Sequence, residues 1–440
     1  MELSKFILNL IRLLISSLLI RRIILRHNTL LYFNGLIKKT QVQFTVQSRF
    51  FYYKCVIMSV MSKHFEPSFN VIRAVSALAI VLFHYSYTFY EYGIKESGPE
   101  FLMFRNGDYG GIFVAIFFML SGAAILHNHP HFSDKEDPGF ISTVKNILKF
   151  YGKRWLSLFP MFYIAWIIMY VINSNRVGSW FWGGPRKNFI LSFLGMDGYF
   201  LHLGMNYYNL GEWFLGGIIF MYLLYPFLLF LWNKMRIPGT LLIVFFFLFN
   251  LRRHYFSSAP DLNIFIVLIK YYNSHITISD NMCLWTCILD FWLGFILLTY
   301  VLPAIKKMDL RMRFILIILI ISILLIFINV ELPLFKLETC TIMAVLTYIL
   351  LSMVTPFITK QASVNSLLNL ISKYSYGIFL VHHVILYGIM YLVKGFTFSQ
   401  ISSIIFFIPL YAVIFLAGFI LTKFSGYIVN IIKSVLSRAS

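Results

Sequence analysis

The sequence predicts an all-α polytopic membrane protein, a bundle of about ten transmembrane helices, and three observations carry that expectation. The chain is 59% hydrophobic and only 12% charged over 440 residues, whereas water-soluble chains average about 25% charged. Apolar runs near the length of about 20 residues needed to cross a bilayer recur along most of it. The basic residues behind the net charge of +20 are scattered over the short connections between those runs, as cytoplasmic loops are under the positive-inside rule. There is no basic patch on a soluble face, no nucleic-acid motif and no phosphate-cradling loop, so nucleic acid is not an expected partner.

The first sixty residues stand apart. They hold nine Lys or Arg against one acid, Glu2, and a short apolar run followed by RRIILR. No small-residue cleavage site follows, so the segment reads as a basic interfacial arm or as an extension upstream of a start at Met58 or Met61. Residues 61–440 then form one membrane domain. Its apolar runs fall near 68–90, 110–127, 155–173, 213–232, 238–252, 282–302, 313–330, 336–357, 374–393 and 401–423. A further run at 188–203 is broken by Gly195, Asp197 and Gly198 and reads as an interfacial or re-entrant piece. If residue 68 starts inside, inner loops and tail carry sixteen Lys or Arg and outer loops ten, which favours both termini in the cytoplasm. The long connections 174–212 and 253–281 then lie outside. The first is rich in Trp, Tyr, Gly and Asn, which suits stacking on sugar rings but equally an interfacial aromatic belt. Cys55, Cys283, Cys287 and Cys340 are too few and too apolar in setting for a disulfide framework.

Chemistry enters with the first span, FNVIRAVSALAIVLFHYSYTF, which carries Arg73 and His84. An ionisable group at the centre of a membrane helix costs on the order of 2.5–3.5 kcal/mol, so one that persists is a functional candidate. Eleven residues at about 100° each make roughly three turns, which sets both side chains on one face about 16 Å apart in depth. Other intramembrane polar groups sort by depth around them. Arg154 lies at the inner start of the third span, Ser121 midway down the second, His382 near mid-depth of the ninth, and Glu212 at the outer start of the fourth. Cations inside with an imidazole and a carboxylate outside suit an anionic cofactor held from the cytoplasm and a hydroxyl activated from the exterior. Each residue also has a plainer reading. Either arginine could snorkel to lipid phosphates, Ser121-Gly122 could be a small-residue helix contact, His382 and His383 could be satisfied core histidines, and Glu212 could simply favour a helix N-terminus. His127, His129 and His131 form HNHPH, which looks like a metal cluster, but Pro130 and the polar run after it argue for a loop.

These residues resemble the integral membrane acyltransferases called acyltransferase type 3, which acylate sugars of surface polysaccharides and typically have ten spans. A basic residue, ten positions, then a histidine in the first helix is matched by Arg73 and His84. FFxxSG is matched by Phe117, Phe118, Ser121 and Gly122, and W-[FS]-L by Trp213, Phe214 and Leu215. S-Y-x-I-[YF]-L-x-H is matched by Ser375, Tyr376, Ile378, Phe379, Leu380 and His382. R-x-x-R before an aromatic and proline is matched by Arg154, Phe159 and Pro160, but Ser157 replaces the second arginine. The resemblance covers roughly residues 66–423.

It implies acyl transfer from acyl-CoA, most simply acetyl-CoA, to a hydroxyl of a cell-surface or lipid-linked polysaccharide in a bacterial cytoplasmic membrane, with no metal required. His84 is the expected general base or transient acyl carrier, and Glu212 its orienting carboxylate. Arg73 and Arg154 are expected to hold the donor's phosphates. Ser121 is expected along the donor's acyl arm, and Trp213 and His382 against substrate. Acyl-CoA, the sugar acceptor and membrane lipids are the expected partners. The rival is a transporter or flippase for glycan intermediates, against which stand the lack of an internal repeat and the basic character of the buried groups.

Overall fold

In lipid every backbone N–H and C=O needs an internal partner, so an apolar chain of this kind resolves into helices. The computed structural model describes residues 66–92, 109–132, 140–181, 186–196, 198–200, 213–255, 284–329 and 336–439. Eleven helices follow in order: α1 (Pro67–Glu91), α2 (Tyr109–Asn128), α3 (Phe140–Val177), α4 (Phe189–Phe193), α5 (Trp213–Lys234), α6 (Arg236–Tyr255), α7 (Leu284–Lys307), α8 (Leu310–Asn329), α9 (Lys336–Ile358), α10 (Ala362–Val393) and α11 (Gln400–Ala439). Among the described residues nine helices are long and apolar enough to cross a membrane, and α6 adds a shorter apolar stretch, Arg236–Leu248. The chain is therefore an all-α, multi-pass membrane protein. The expected basic arm at 1–60, and residues 182–185, 197 and 201–212 of the aromatic outer loop, Glu212 among them, lie outside the described residues.

Three helices run well past their expected spans. α3 begins at Phe140 rather than near 155, α10 at Ala362 rather than 374, and α11 ends at Ala439 rather than 423. Hydropathy marks only the part that crosses lipid, while nothing in SVNSLLNLISK or the basic start of α3 breaks a helix. The run at 188–203 is not a span: α4 is five residues long and turns at Gly195, whose φ of 67° favours glycine.

α1 sits at the centre. Its closest neighbour is α10, and it also packs on α2, α9 and α11. Ile72 joins the cluster built with α2, α7 and α9, while Ala74, Val81, Tyr85 and Phe89 join the one built with α10 and α11. Polar ties fix its register: Asn70 donates to Asn369 Oδ1 at 2.7 Å, Ser372 donates to Asn70 Oδ1 at 3.0 Å, and Tyr85 donates to the Ser403 carbonyl at 2.6 Å. Before it, Glu66 pairs with Lys306 of α7 at 2.6 Å.

Small residues bring two helix pairs into backbone contact. Gly122 of α2 lies against the Phe291 carbonyl of α7, and Gly294 of α7 against the Met119 carbonyl of α2. Gly377 of α10 and Gly418 of α11 face each other in the same way. A methyl group at any of these positions would collide with backbone. Gly294→Ala should lower the stability of the detergent-solubilised protein by about 1–3 kcal/mol, the usual cost of overpacking. Gly388→Ala, with nothing within 4 Å, should be neutral or stabilising in the same thermal-unfolding assay.

Candidate active site

Four helices present stripes of helical period to one shared space, which Ser157 and Leu158 of α3 also line. α1 offers Arg73, Ile80 and His84; α2 offers Gly110, Val114, Phe117 and Ser121; α5 offers Phe214, Ile218 and Tyr222; α10 offers Tyr376, Phe379 and His383. The sets step by three, four or seven residues, which is what one face of a helix exposes. The result is a cavity of about 520 Å3. Its lining on α1 runs from Arg73 to His84, eleven residues or about 16 Å of helix rise.

Contacts fix what stands at each end. α2 runs antiparallel to α1, with Phe69 against His127 and Phe83 against Tyr109, ring centroids 6.1 and 5.3 Å apart. α10 runs parallel, since Asn70 meets Asn369 and His84 meets His383. The Arg73 end is therefore polar, with Ser121, Ser157, Tyr222 and Ser375 on or near its wall, and the middle is apolar, with Ile80, Val114, Phe117 and Ile218. The far end carries His84, His383 and Trp213. Among the described residues no carboxylate lies within ion-pair distance of Arg73, the only such pair being Lys306 with Glu66. Among the described residues, then, the Arg73 guanidinium faces the cavity without a carboxylate counterion.

Arg73, His84, Ser121 and Trp213 thus share one cavity, and the first two share the face that their eleven-residue spacing suggested. The Ser121-Gly122 pair divides its work: the glycine makes the contact with α7, and the serine faces the cavity. His382 is fully buried just behind the wall, its Nδ1–H donating to the Phe379 carbonyl at 2.7 Å. Glu212 lies outside the described residues.

Arg154 is not on the wall. Its Nη2 donates to His129 Nε2 at 3.1 Å, and its guanidinium lies 5.4 Å from the Phe150 ring centre and 5.8 Å from that of Tyr222, which does line the cavity. Burial first, then the cationic Arg154 and Lys153, hold the His129 imidazole below the usual histidine range, in the neutral form that accepts this bond. The buried Nε–H of Arg154 has no hydrogen-bond partner among the described residues. Ser157, three residues on, reaches the cavity itself.

Several residues on the wall were not among the expected site residues. Tyr222 stands eight positions after Phe214 on the same face of α5. His383, rather than His382, shares a face with Tyr376 and Phe379, because neighbours in a helix point about 100° apart. Asp290 also escaped notice, although an acid within LWTCILDFWLGFI is itself a signal. It is buried on α7 and accepts a hydrogen bond from Thr341 Oγ1 at 3.2 Å, behind the Val114–Trp213 wall. The HNHPH residues do not converge as a metal-ligating group among the described residues.

The family model Acyl_transf_3, described as an acyltransferase domain, matches residues 66–423. Comparisons with curated proteins and with solved structures gave no match. With that match running from the residue before α1 into α11, and so across every helix that walls the cavity, the chain belongs to the acyltransferase type 3 family and is a membrane-embedded acyltransferase.

Proposed function

We infer that this acyltransferase moves an acyl group, most simply acetyl, from acyl-CoA to a hydroxyl of a cell-surface or lipid-linked polysaccharide. The observation that carries the reading is the single cavity with a guanidinium at one end and an imidazole at the other. Its volume is typical of a small-molecule site. It suits the acyl-bearing arm of the donor and the reacting sugar of an acceptor, with the rest of both molecules outside. The Arg73 end would face the cytoplasm, the side on which the charge balance of the loops favours both termini, and the membrane would be the bacterial cytoplasmic one.

The thioester supplies the activated carbonyl, so the protein has to bind, align and move a proton. Arg73 holds donor phosphate by charge-assisted hydrogen bonds, and Arg154, whose buried Nε–H has no partner among the described residues, adds a second positive charge behind the Tyr222 wall. Ser121 and the apolar middle accommodate the acyl-bearing arm. At the far end His84 takes the proton from the acceptor hydroxyl as its oxygen attacks the carbonyl carbon. The tetrahedral intermediate then collapses, the C–S bond breaks, and the departing thiolate is protonated by the imidazolium. Trp213 offers an aromatic face to a sugar ring. His382 keeps its place behind His84, and Glu212 would orient the base. No step requires a metal.

In purified protein with native expression levels, His84→Ala should lower kcat for acyl transfer by about 10²–10⁴, the usual contribution of a general base. Unchanged transfer by a well-folded His84→Ala protein rejects the assignment. Arg73→Ala should act on the donor instead, raising KM for acyl-CoA by roughly 10–100-fold, the worth of one or two charge-assisted bonds. Ser157→Arg, which restores the family's second arginine on the cavity wall, should lower that KM several-fold; no change, or a higher KM, would show that the donor's phosphates do not pass Ser157.

A further inference from the structure

The His84 end of the cavity carries more imidazole than one proton transfer needs. The ring of His84 on α1 lies 5.1 Å from that of His382 and 4.0 Å from that of His383, and those two are 4.6 Å apart. Ligating nitrogens of all three lie within 4.8 Å of one another. Adjacent residues of a helix ordinarily diverge, so the convergence of both α10 histidines on a third from α1 needs an account. The Nδ1–H of His382 donates to a backbone carbonyl at 2.7 Å, which leaves Nε2 as its lone-pair nitrogen. A carbonyl on the far nitrogen is how metal-bound histidines are ordinarily oriented.

We propose that His84, His382 and His383 form a binding site for one divalent transition-metal ion, zinc foremost, with its fourth position open to the cavity. Three neutral imidazoles, with neither thiolate nor carboxylate among them, select ions of borderline softness over magnesium or calcium. Tetrahedral bonds of about 2.05 Å place ligand nitrogens roughly 3.4 Å apart, so each ring has to move by only about 1 Å to close on the ion. A bare dication in an apolar bundle would be costly. Here His84 and His383 line the cavity, so a water, hydroxide or other small anion from that side completes the shell and removes charge.

An ion at this place has a consequence that rests on the proposed function. It occupies the lone pair that His84 would use to take the hydroxyl proton. Metal occupancy therefore switches transfer off, and the metal-free protein is the active form.

The test uses the full-length protein in detergent, purified through a tag without histidine and stripped with a chelator. Cobalt(II) should give the visible absorption of a tetrahedral site, displaced by one equivalent of zinc. X-ray absorption of the zinc form should show about three imidazole ligands. His84→Gln, His382→Gln and His383→Gln should each weaken zinc binding by more than about 100-fold, beyond what losing a supporting hydrogen bond costs. His127→Gln should leave binding unchanged. No tetrahedral cobalt spectrum on the wild-type protein, or an affinity unmoved by the three substitutions, overturns the site. These readouts need no turnover, so their failure is separate from failure of the acyltransferase mechanism, which His84→Ala tests on metal-free protein. One equivalent of zinc should suppress transfer at least about tenfold, reversibly with chelator; full activity of the zinc-loaded protein overturns the switch.

Discussion

The cost of holding a cation and an imidazole inside an apolar helix organises this structure. Neither Arg73 nor His84 can face lipid without a penalty of several kcal/mol, and α1 cannot face both ends of the membrane at once. The bundle meets this by surrounding α1 with α2, α9, α10 and α11 and leaving one stripe of it against a cavity. The remaining faces of α1 are packed, with Val71, Ile72, Val81, Tyr85 and Phe89 almost fully buried. A helix buried on nearly all sides is a precise platform, and that precision is what a site made of separated polar groups requires.

Close helix contacts elsewhere keep the cavity's walls at fixed distances. Gly122 against α7 and Gly377 against Gly418 set how near α2 and α10 stand to their outer neighbours, so Ser121 and Tyr376, each next in sequence to one of these glycines, are presented by rigid backbone. Function and packing thus alternate along the same helices, one residue apart. The same alternation lets Gly122 make the small-residue helix contact while Ser121, its neighbour, faces the cavity.

Much of this was legible in the sequence because membrane helices have a simple grammar. The apolar runs located the spans, and the eleven-residue step from Arg73 to His84 placed both groups on one face. What one helix does to its own residues could be read. What depends on a second helix could not. Whether His382 or His383 faces the cavity turns on the rotation of α10, which its packing against α1 and α11 decides. Arg154 turns to His129 and the Phe150 and Tyr222 rings because the chain after α2 folds back over the start of α3, a contact that no local pattern announces. The extra turns of α3, α10 and α11 were missed because hydropathy reports lipid, not helix.

The central claim is that water and donor reach a continuous seam between Arg73 and His84 through the middle of the bundle. Cysteine accessibility measures this directly, in a background lacking the native cysteines. A thiol placed by Ser121→Cys, on the cavity wall, should react with a membrane-impermeant reagent and be protected by acyl-CoA, while one placed by Ser76→Cys, fully buried on the same central helix α1, should stay silent. An unreactive Ser121→Cys protein, or labelling that acyl-CoA leaves untouched, would contradict the account.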